Sequence, residues 1–143
     1  MRIDAHGNKI SHRFTRGLMR SHGSLHYAQV QDAIDGQPDE ATAPLLAPVL
    51  QPLYAAYAAL KLARAARQPL DLELPERKIV LSDEGKVVSV AFKDRYDAHK
   101  LIEEFMILAN VAAAEELVRL RRPLLFRVHE EPTPEKLDAL REV

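Results

Sequence analysis

Three polar side chains lie at helical spacing within an otherwise apolar stretch. His99, Glu103 and Asn110 fall at positions i, i+4 and i+11, which at about 100° per residue lie within roughly 40° of one another on a helix. One interpretation is that Glu103, partly desolvated, faces a ligand. The other is an ordinary helix start, in which Asp97 is the N-cap and Glu103 and Glu104 complement the helix dipole. The spacing leaves both interpretations open.

A second candidate lies near the N-terminus, where basic and imidazole side chains but no acid occur between Lys9 and His22. If this segment is a strand, alternation places Arg16 and Arg20 on one face, and such a row could follow the phosphates of a nucleic acid. A solvated strand face explains the pattern equally well. Tyr27 follows near the start of a predicted helix, as either a half-buried packing residue or a ligand contact.

The composition excludes several classes of protein. With 143 residues, nearly half of them apolar, the chain fits one domain with a buried core. The net charge of −1 gives no global field that would attract nucleic acid, so any such site must be local. Cysteine is absent, which excludes disulfides and thiolate chemistry. The sequence MRIDAHGNK lacks the apolar core of a signal peptide, and no run of about 18 apolar residues occurs. We therefore expect a cytoplasmic protein without membrane contact.

Familiar catalytic motifs are also absent from the sequence. We find no phosphate-binding glycine loop, nucleophile elbow, HExxH motif or tight aspartate cluster. The six histidines are dispersed without the spacing of metal ligands. The sequence therefore predicts no metal held by this chain and no complete active site.

The element pattern predicts a mixed α+β fold, with antiparallel hairpins packed around a long central helix. The central helix is predicted over Asp97–Arg122, and because it is apolar nearly all round we expect it to be covered on most sides. Strands are predicted at Arg2–Ala5, Lys9–Arg20, Leu70–Leu74, Lys78–Leu81, Lys86–Phe92 and Leu124–Val128. A helix is predicted at Ser24–Asp35, ended by Gly36, and a last helix begins at Pro134 with Thr133 as its N-cap. Between them, Pro44, Pro48 and Pro52 predict a kinked or late-starting helix that is regular over Leu53–Arg67.

Four segments resemble a known family. DAHKLIEEFMILAN, residues 97–110, closely resembles the "HxLIEEfMlLAN" signature of the RNB catalytic domain of the ribonuclease R and ribonuclease II family. RFTRGLMRSHGSLHYAQVQDAIDG (13–36), LDLELPERKIVLSDEGKV (70–87) and LFRVHEEPTPEKLDAL (125–140) are similar to three further segments of that family, in the same order. Together they cover almost the whole chain.

The resemblance implies a processive 3′→5′ exoribonuclease that uses Mg²⁺ to hydrolyse single-stranded RNA to 5′-nucleoside monophosphates. It further implies that Tyr27 lies near the 3′-terminal nucleotides and that Glu103 contacts ribose, with Glu104 as the alternative; Arg16 and Arg20 are the candidate phosphate contacts. The family's metal-binding aspartate cluster and its later catalytic arginine segment have no counterpart in residues 1–143.

We therefore expect residues 1–143 to be the middle-to-late portion of an RNB catalytic domain, inactive alone and able to self-associate through exposed apolar surface. The alternative is a non-catalytic RNA-binding or protein-interaction module derived from the same fold, and a third possibility is a bare structural scaffold. Two departures from the family pattern stand out: His26 replaces a threonine before Tyr27, and Gln68-Pro69 replaces a glycine.

Overall fold

The structure, a computed structural model, describes residues 1–69, 77–92 and 94–142. It contains helices and two small antiparallel sheets, which confirms the predicted α+β class. The chain divides into two compact units, Met1–Ala112 and Ala113–Val143.

A short hairpin opens the first unit. β1 (Arg2–Ile3) and β2 (Lys9–Ser11) are antiparallel. The Asp4 carboxylate closes the turn between them, because its Oδ1 accepts hydrogen bonds from the backbone N–H groups of His6 and Asn8, both at 2.9 Å. The side-chain hydrogen bond from Asn8, followed by the backbone bonds, holds the pKa of Asp4 below its usual value.

Residues 12–26 have no regular structure, so the predicted strand from Lys9 to Arg20 is wrong beyond Ser11. The backbone N–H and C=O groups of a strand must pair with a neighbouring strand, and β1 pairs with β2 over only a few residues. Arg16 and Arg20 are exposed. They therefore do not share a strand face.

The next element, α1 (Tyr27–Ile34), begins later than predicted. Its N-cap is His26, whose backbone N–H donates a hydrogen bond to Oε1 of Gln29 at 3.2 Å. Gln29 thus satisfies a backbone donor at the helix start, where the RNB pattern has threonine in place of His26. Gly36 follows with a φ of 95°, which confirms the predicted glycine ending of this helix.

Three prolines shape the following helical run. α2 (Ala43–Leu45) passes through one π-helical turn (Leu46–Leu50) into α3 (Gln51–Ala66). Pro44 occupies the first turn of α2, where a missing N–H costs nothing, and Pro52 lies in the first turn of α3 directly after the π-helical turn. Pro48 lies within the π-helical turn, and a proline or a π-helical turn interrupts the regular hydrogen-bond pattern of an α-helix. The run is therefore irregular at Pro48, as the proline spacing predicts, but it begins at Ala43, before the prolines, and not late.

A reciprocal cap joins this run to α1. Oδ1 of Asp39 accepts hydrogen bonds from the backbone N–H and the hydroxyl of Thr42, at 2.8 and 2.7 Å, and the Asp39 backbone N–H donates to the same hydroxyl. Gln29 of α1 donates to the other carboxylate oxygen at 2.6 Å. The hydroxyl of Thr42 and then the Gln29 amide lower the pKa of Asp39 to about 2. Thr42 is fully buried, so the cap anchors the start of the run.

The turn after α3 contains a strained residue. Gln68 has a φ of 49°, in the left-handed region that costs a non-glycine residue roughly 1–2 kcal/mol. The RNB pattern has a glycine where this chain has Gln68-Pro69. Gln68 therefore carries backbone strain at the end of α3.

A second hairpin follows. β3 (Arg77–Leu81) and β4 (Val87–Phe92) are antiparallel, as predicted, and the turn between them is closed by the hydrogen bond from Ser82 N–H to the Lys86 carbonyl at 2.8 Å. The predicted strand Leu70–Leu74 lies outside the described residues. Apolar side chains on both faces of the hairpin are exposed to solvent: Ile79, Val80, Leu81, Val87, Val88, Val90 and Phe92.

The long helix α4 (Asp97–Arg119) confirms the predicted central helix and ends three residues earlier than predicted. Its buried apolar residues are Ala98, Leu101 and Ala112. Other apolar side chains of α4 are exposed, including Met106 at 59%. Within the described part of the chain, the expectation that α4 is covered on most sides is therefore wrong, because too few elements contact it.

The second unit contains the end of α4 and one short helix, α5 (Pro134–Arg141), with Thr133 as its N-cap, as predicted. The predicted buried strand Leu124–Val128 is wrong: the segment has no regular structure, and Leu125 is 97% exposed. An isolated strand cannot satisfy its backbone hydrogen bonds, and no strand in residues 77–92 or in the N-terminal hairpin pairs with this segment.

A buried carboxylate joins α3 to α4. Glu104 is only 5% exposed, and its Oε1 accepts a hydrogen bond from the Arg64 guanidinium at 2.6 Å. Arg67 approaches the other oxygen at 3.9 Å. The neighbouring Glu103 pairs with Arg95 at 3.0 Å, but both of these side chains are almost half exposed. The Glu104 pair therefore contributes much more to packing than the Glu103 pair.

The run Ala43–Ala66, with 24 residues, is also long and apolar enough to cross a membrane: an 18-residue stretch of it has a mean hydropathy of 1.3, and 17% of that stretch is buried. Length and composition alone give this result, which core helices of soluble proteins share. In this structure Tyr57 and Leu60 are buried, and Arg64 forms its ion pair with Glu104. One face of the run is thus packed within the first unit.

Gly7 holds the first hairpin against α3. A Cβ at this position would lie 2.2 Å from the Ala59 carbonyl oxygen and 2.9 Å from Cα of Leu60, and φ is +79°. Gly85 has nearly the same φ, +78°, but open space around it. Both glycines therefore have a positive φ, but only Gly7 is packed against neighbouring backbone.

We predict that Gly7→Ala lowers the free energy of unfolding by about 3 kcal/mol, because the backbone clash adds to the left-handed strain. Gly85→Ala is the matched control and should cost about 1 kcal/mol, the strain alone. Urea unfolding measures both. Equal losses would show that the contact between Gly7 and α3 does not exist in solution.

A second prediction concerns the adjacent carboxylates. Glu104→Gln should lower the free energy of unfolding by about 2 kcal/mol, because it leaves Arg64 beside a partner that has lost its charge. Glu103→Gln, the control one residue away, should cost less than about 1 kcal/mol, since its pair with Arg95 is exposed. Thermal or urea unfolding compares them. A larger loss in Glu103→Gln would contradict the assigned packing of α4.

Candidate functional site

Tyr27 begins α1 and presents its ring at the surface of the first unit. The ring is 45% exposed. It stacks on His99 of α4, with 4.0 Å between ring centroids and 22° between ring planes. Tyr27 is therefore half exposed and rests on α4, a placement that fits both a half-buried packing residue and a ligand contact.

His99 is itself held by the residue before α4. Its Nδ1 accepts a hydrogen bond from the Tyr96 backbone N–H at 3.1 Å, and the two rings lie 5.6 Å apart at 22°. The Tyr96 hydroxyl donates to Asp94 at 3.2 Å, and this hydrogen bond raises the pKa of Tyr96. We call Tyr27, His99 and Tyr96 the aromatic row. Tyr96 was missed in the sequence, although its i, i+3 spacing to His99 is a signal for contact at a helix start.

Glu103 lies one helical turn after His99 on α4. Its carboxylate, 48% exposed, pairs with Arg95. Asn110, the third member of the predicted polar stripe, is exposed further along the same helix. The structure thus brings Tyr27 onto His99 and places Glu103 one turn further along α4, while the neighbouring Glu104 is buried in its ion pair with α3.

A charged cleft of about 250 Å³ lies between α3 and the start of α4. Tyr57 is buried in its wall, and burial, followed by the carboxylates of Asp97 and Glu104, raises the pKa of Tyr57 to about 12. Its hydroxyl therefore stays protonated at neutral pH. The ammonium of Lys61 lies over the Tyr57 ring, 4.7 Å from its centroid. The remaining lining residues supply both signs of charge: Arg64, Arg95, Lys100, Asp97, Glu103 and Glu104.

An apolar pocket of about 140 Å³ lies beneath Tyr27. Residues of α1, the π-helical turn, α3 and α4 line it, including Val30, Leu53, Tyr54 and Ile102. Burial, followed by the charges of Asp97 and Asp35, raises the pKa of Tyr54.

Arg16 and Arg20 are not brought to this site by any regular element. Both lie on the exposed segment 12–26. Their predicted role in phosphate binding stays a prediction.

The described residues do not fit a magnesium site. Among residues 1–69, 77–92 and 94–142, no three His, Asp or Glu side chains are grouped so that they could hold a metal ion. Mg²⁺ prefers carboxylate ligands in octahedral geometry, and the carboxylates of Glu103 and Glu104 are each paired with an arginine.

Comparison with known proteins gives a consistent result. The chain is 35% identical to Ribonuclease R of Escherichia coli strain K12 over 145 residues, which cover the whole chain and 18% of that protein. It is 36% identical to Ribonuclease R of Vibrio parahaemolyticus, over 99% of the chain and 17% of that protein. For Ribonuclease R of Thermotoga maritima the identity is 32%, over 99% of the chain and 20% of that protein. The chain thus spans about a fifth of the length of these curated relatives.

The fold is also similar to a solved structure. The structure of Mycoplasma genitalium RNase R in complex with ribose methylated single-stranded RNA aligns with 81% of this chain and 18% of that chain, at 25% identity and a TM-score of 0.73. The RNB domain profile matches residues 1–143, the full length of the sequence. This chain therefore belongs to the RNB domain family.

Proposed function

We propose that this chain forms part of a 3′→5′ exoribonuclease that hydrolyses single-stranded RNA to 5′-nucleoside monophosphates. The observation that carries the proposal is the match to the RNB domain over the whole sequence, together with the identity to Ribonuclease R from several bacteria. Because the chain spans about a fifth of those relatives, the activity belongs to a longer enzyme that contains it.

Within that enzyme, the chain supplies contacts to the RNA. Tyr27 offers a half-exposed ring on which a base can stack, an interaction worth about 1–3 kcal/mol per base. Glu103 lies one turn from His99 with its carboxylate half exposed, and a carboxylate can accept a hydrogen bond from a ribose 2′-hydroxyl, the group that distinguishes RNA from DNA. The similarity in fold to an RNase R whose structure was solved in complex with ribose methylated single-stranded RNA supports RNA as the ligand.

Glu103 is the better candidate of the two adjacent carboxylates. Glu104 is buried and engaged by Arg64, so a ribose could reach it only if that ion pair opened. Glu103 is paired with Arg95 on an exposed surface, where a pair of this kind contributes little and can exchange for a ligand. The guanidinium of Arg95 would then be available to a phosphate.

The proposal places the magnesium chemistry outside residues 1–143. Two-metal hydrolysis of a phosphodiester requires ions that activate water and neutralise charge on the phosphate. Among the described residues, no three His, Asp or Glu side chains lie close enough together to bind such an ion. The chain alone is then inactive. Arg16 and Arg20, exposed and cationic, are proposed to contact RNA phosphates.

A cytoplasmic location also belongs to the proposal, since RNA is the substrate. Taken alone, the chain is proposed to self-associate, because the hairpin β3–β4 exposes apolar side chains on both faces and unpaired strand edges favour association.

The experiment compares single-stranded RNA and DNA of one sequence, both 5′-labelled, as substrates of the longer enzyme in Mg²⁺. The native enzyme should shorten RNA from its 3′ end much faster than DNA. Glu103→Ala should lower the ratio of the RNA rate to the DNA rate, because the ribose 2′-hydroxyl loses its hydrogen-bond acceptor. Gel electrophoresis of timed samples gives both rates.

Glu104→Gln is the control for this assay, and it should leave the RNA to DNA ratio unchanged. If Glu103→Ala leaves the ratio as in the native enzyme, Glu103 does not read ribose, whatever happens to the absolute rates. If the longer protein degrades neither substrate but binds RNA, the non-catalytic binding module replaces the exoribonuclease as its function.

A further inference from the structure

The ring of Tyr27 needs support if it is to present one face to a base. Tyr27 is the first residue of α1, preceded by a segment without regular structure. Nearly half of the residue is exposed. The described contact of the ring is the stack on His99, at 4.0 Å and 22°.

His99 is well fixed for this purpose. It lies in the first turn of α4, and the Tyr96 N–H donates to its Nδ1 at 3.1 Å. A ring nitrogen that accepts a hydrogen bond carries no proton, so the neutral imidazole carries its proton on Nε2. The Tyr96 ring packs near it, nearly parallel at 22°. The orientation of the imidazole is therefore set by the backbone directly before α4.

The same helix carries Glu103, four residues and about one turn after His99. Side chains at i and i+4 lie on the same helix face. A ring held by His99 is therefore held at a fixed place relative to the carboxylate of Glu103. In the proposed function, a base that stacks on Tyr27 and a ribose that binds Glu103 belong to the same RNA strand. The distance between the Tyr27 ring and the Glu103 carboxylate must therefore match the distance between that base and that ribose.

We propose that His99 is a positioning residue that orients Tyr27 for stacking on an RNA base and sets its distance from Glu103. The inference rests on the proposed function, in which Tyr27 contacts RNA. His99 itself acts through the Tyr27 ring and makes no contact with the reacting atoms.

The test is a double-mutant cycle in the longer enzyme, with binding of 5′-fluorescent single-stranded RNA measured by anisotropy in EDTA, so that no hydrolysis occurs. His99→Ala should weaken binding about 2- to 10-fold, because the loss of one aromatic pair changes an affinity by about this factor. In the Tyr27→Ala background, His99→Ala should have no further effect, because the ring that it orients is gone. His99→Phe, which keeps a ring at this position, should restore most of the affinity.

Each variant is checked by its unfolding midpoint. If His99→Ala does not fold, His99→Leu, which fills the same space without a π-face, replaces it in the cycle. Additive losses from Tyr27→Ala and His99→Ala, or native affinity in a folded His99→Ala or His99→Leu enzyme, would overturn the role of His99 while the contact between Tyr27 and RNA stands. Native affinity in Tyr27→Ala would instead overturn the contact of Tyr27 with RNA, and the inference with it.

Discussion

The ion pair between Glu104 and Arg64 fixes how α4 is turned about its own axis. Glu104 is the buried charge of α4, and a buried carboxylate must keep its cationic partner. Once Glu104 faces α3, helix geometry turns the adjacent Glu103 about 100° away, towards Arg95 and the exposed side. His99, one turn before Glu103, then meets the ring of Tyr27. The ion pair with Arg64 thus leaves Glu104 buried and Glu103 accessible to solvent.

The start of α1 depends on a separate set of contacts. Gln29 satisfies the backbone N–H of His26 and also binds Asp39, the cap of the next helical run. Asp39 in turn holds the fully buried Thr42. Because these contacts anchor α1 just after Tyr27, the tyrosine begins its helix at a defined place without the threonine that the RNB pattern has before it. Backbone position and ring orientation of Tyr27 are therefore set by different residues.

Elements with strong local signals could be predicted from the sequence. The periodicity of α4, the turn Ser82–Gly85 and the prolines before α3 each depend on residues close together in the chain, and all three were confirmed. The strand predicted beyond Ser11 and the strand Leu124–Val128 failed because a strand exists only where another strand pairs with it. Local alternation does not reveal whether such a partner is present.

The site could be predicted only in part, for a similar reason. Helical spacing singled out Glu103 and His99, and the resemblance to a family then assigned predicted roles to Tyr27 and Glu103. Neither route indicated that the rings of Tyr27 and His99 stack, because that contact joins α1 to α4 across a long stretch of sequence. Nor did spacing distinguish Glu103 from Glu104. That distinction depends on Arg64, forty residues away in the chain.

The central claim is that the 3′ region of an RNA strand lies against the aromatic row in the longer enzyme. It is tested most directly by photocrosslinking RNA that carries 4-thiouridine near its 3′ end, in EDTA, followed by mass spectrometry of the crosslinked peptides. The account predicts crosslinks to the peptide that contains Tyr27, lost when an unlabelled RNA competes. Crosslinks found only in peptides outside residues 1–143 would contradict it.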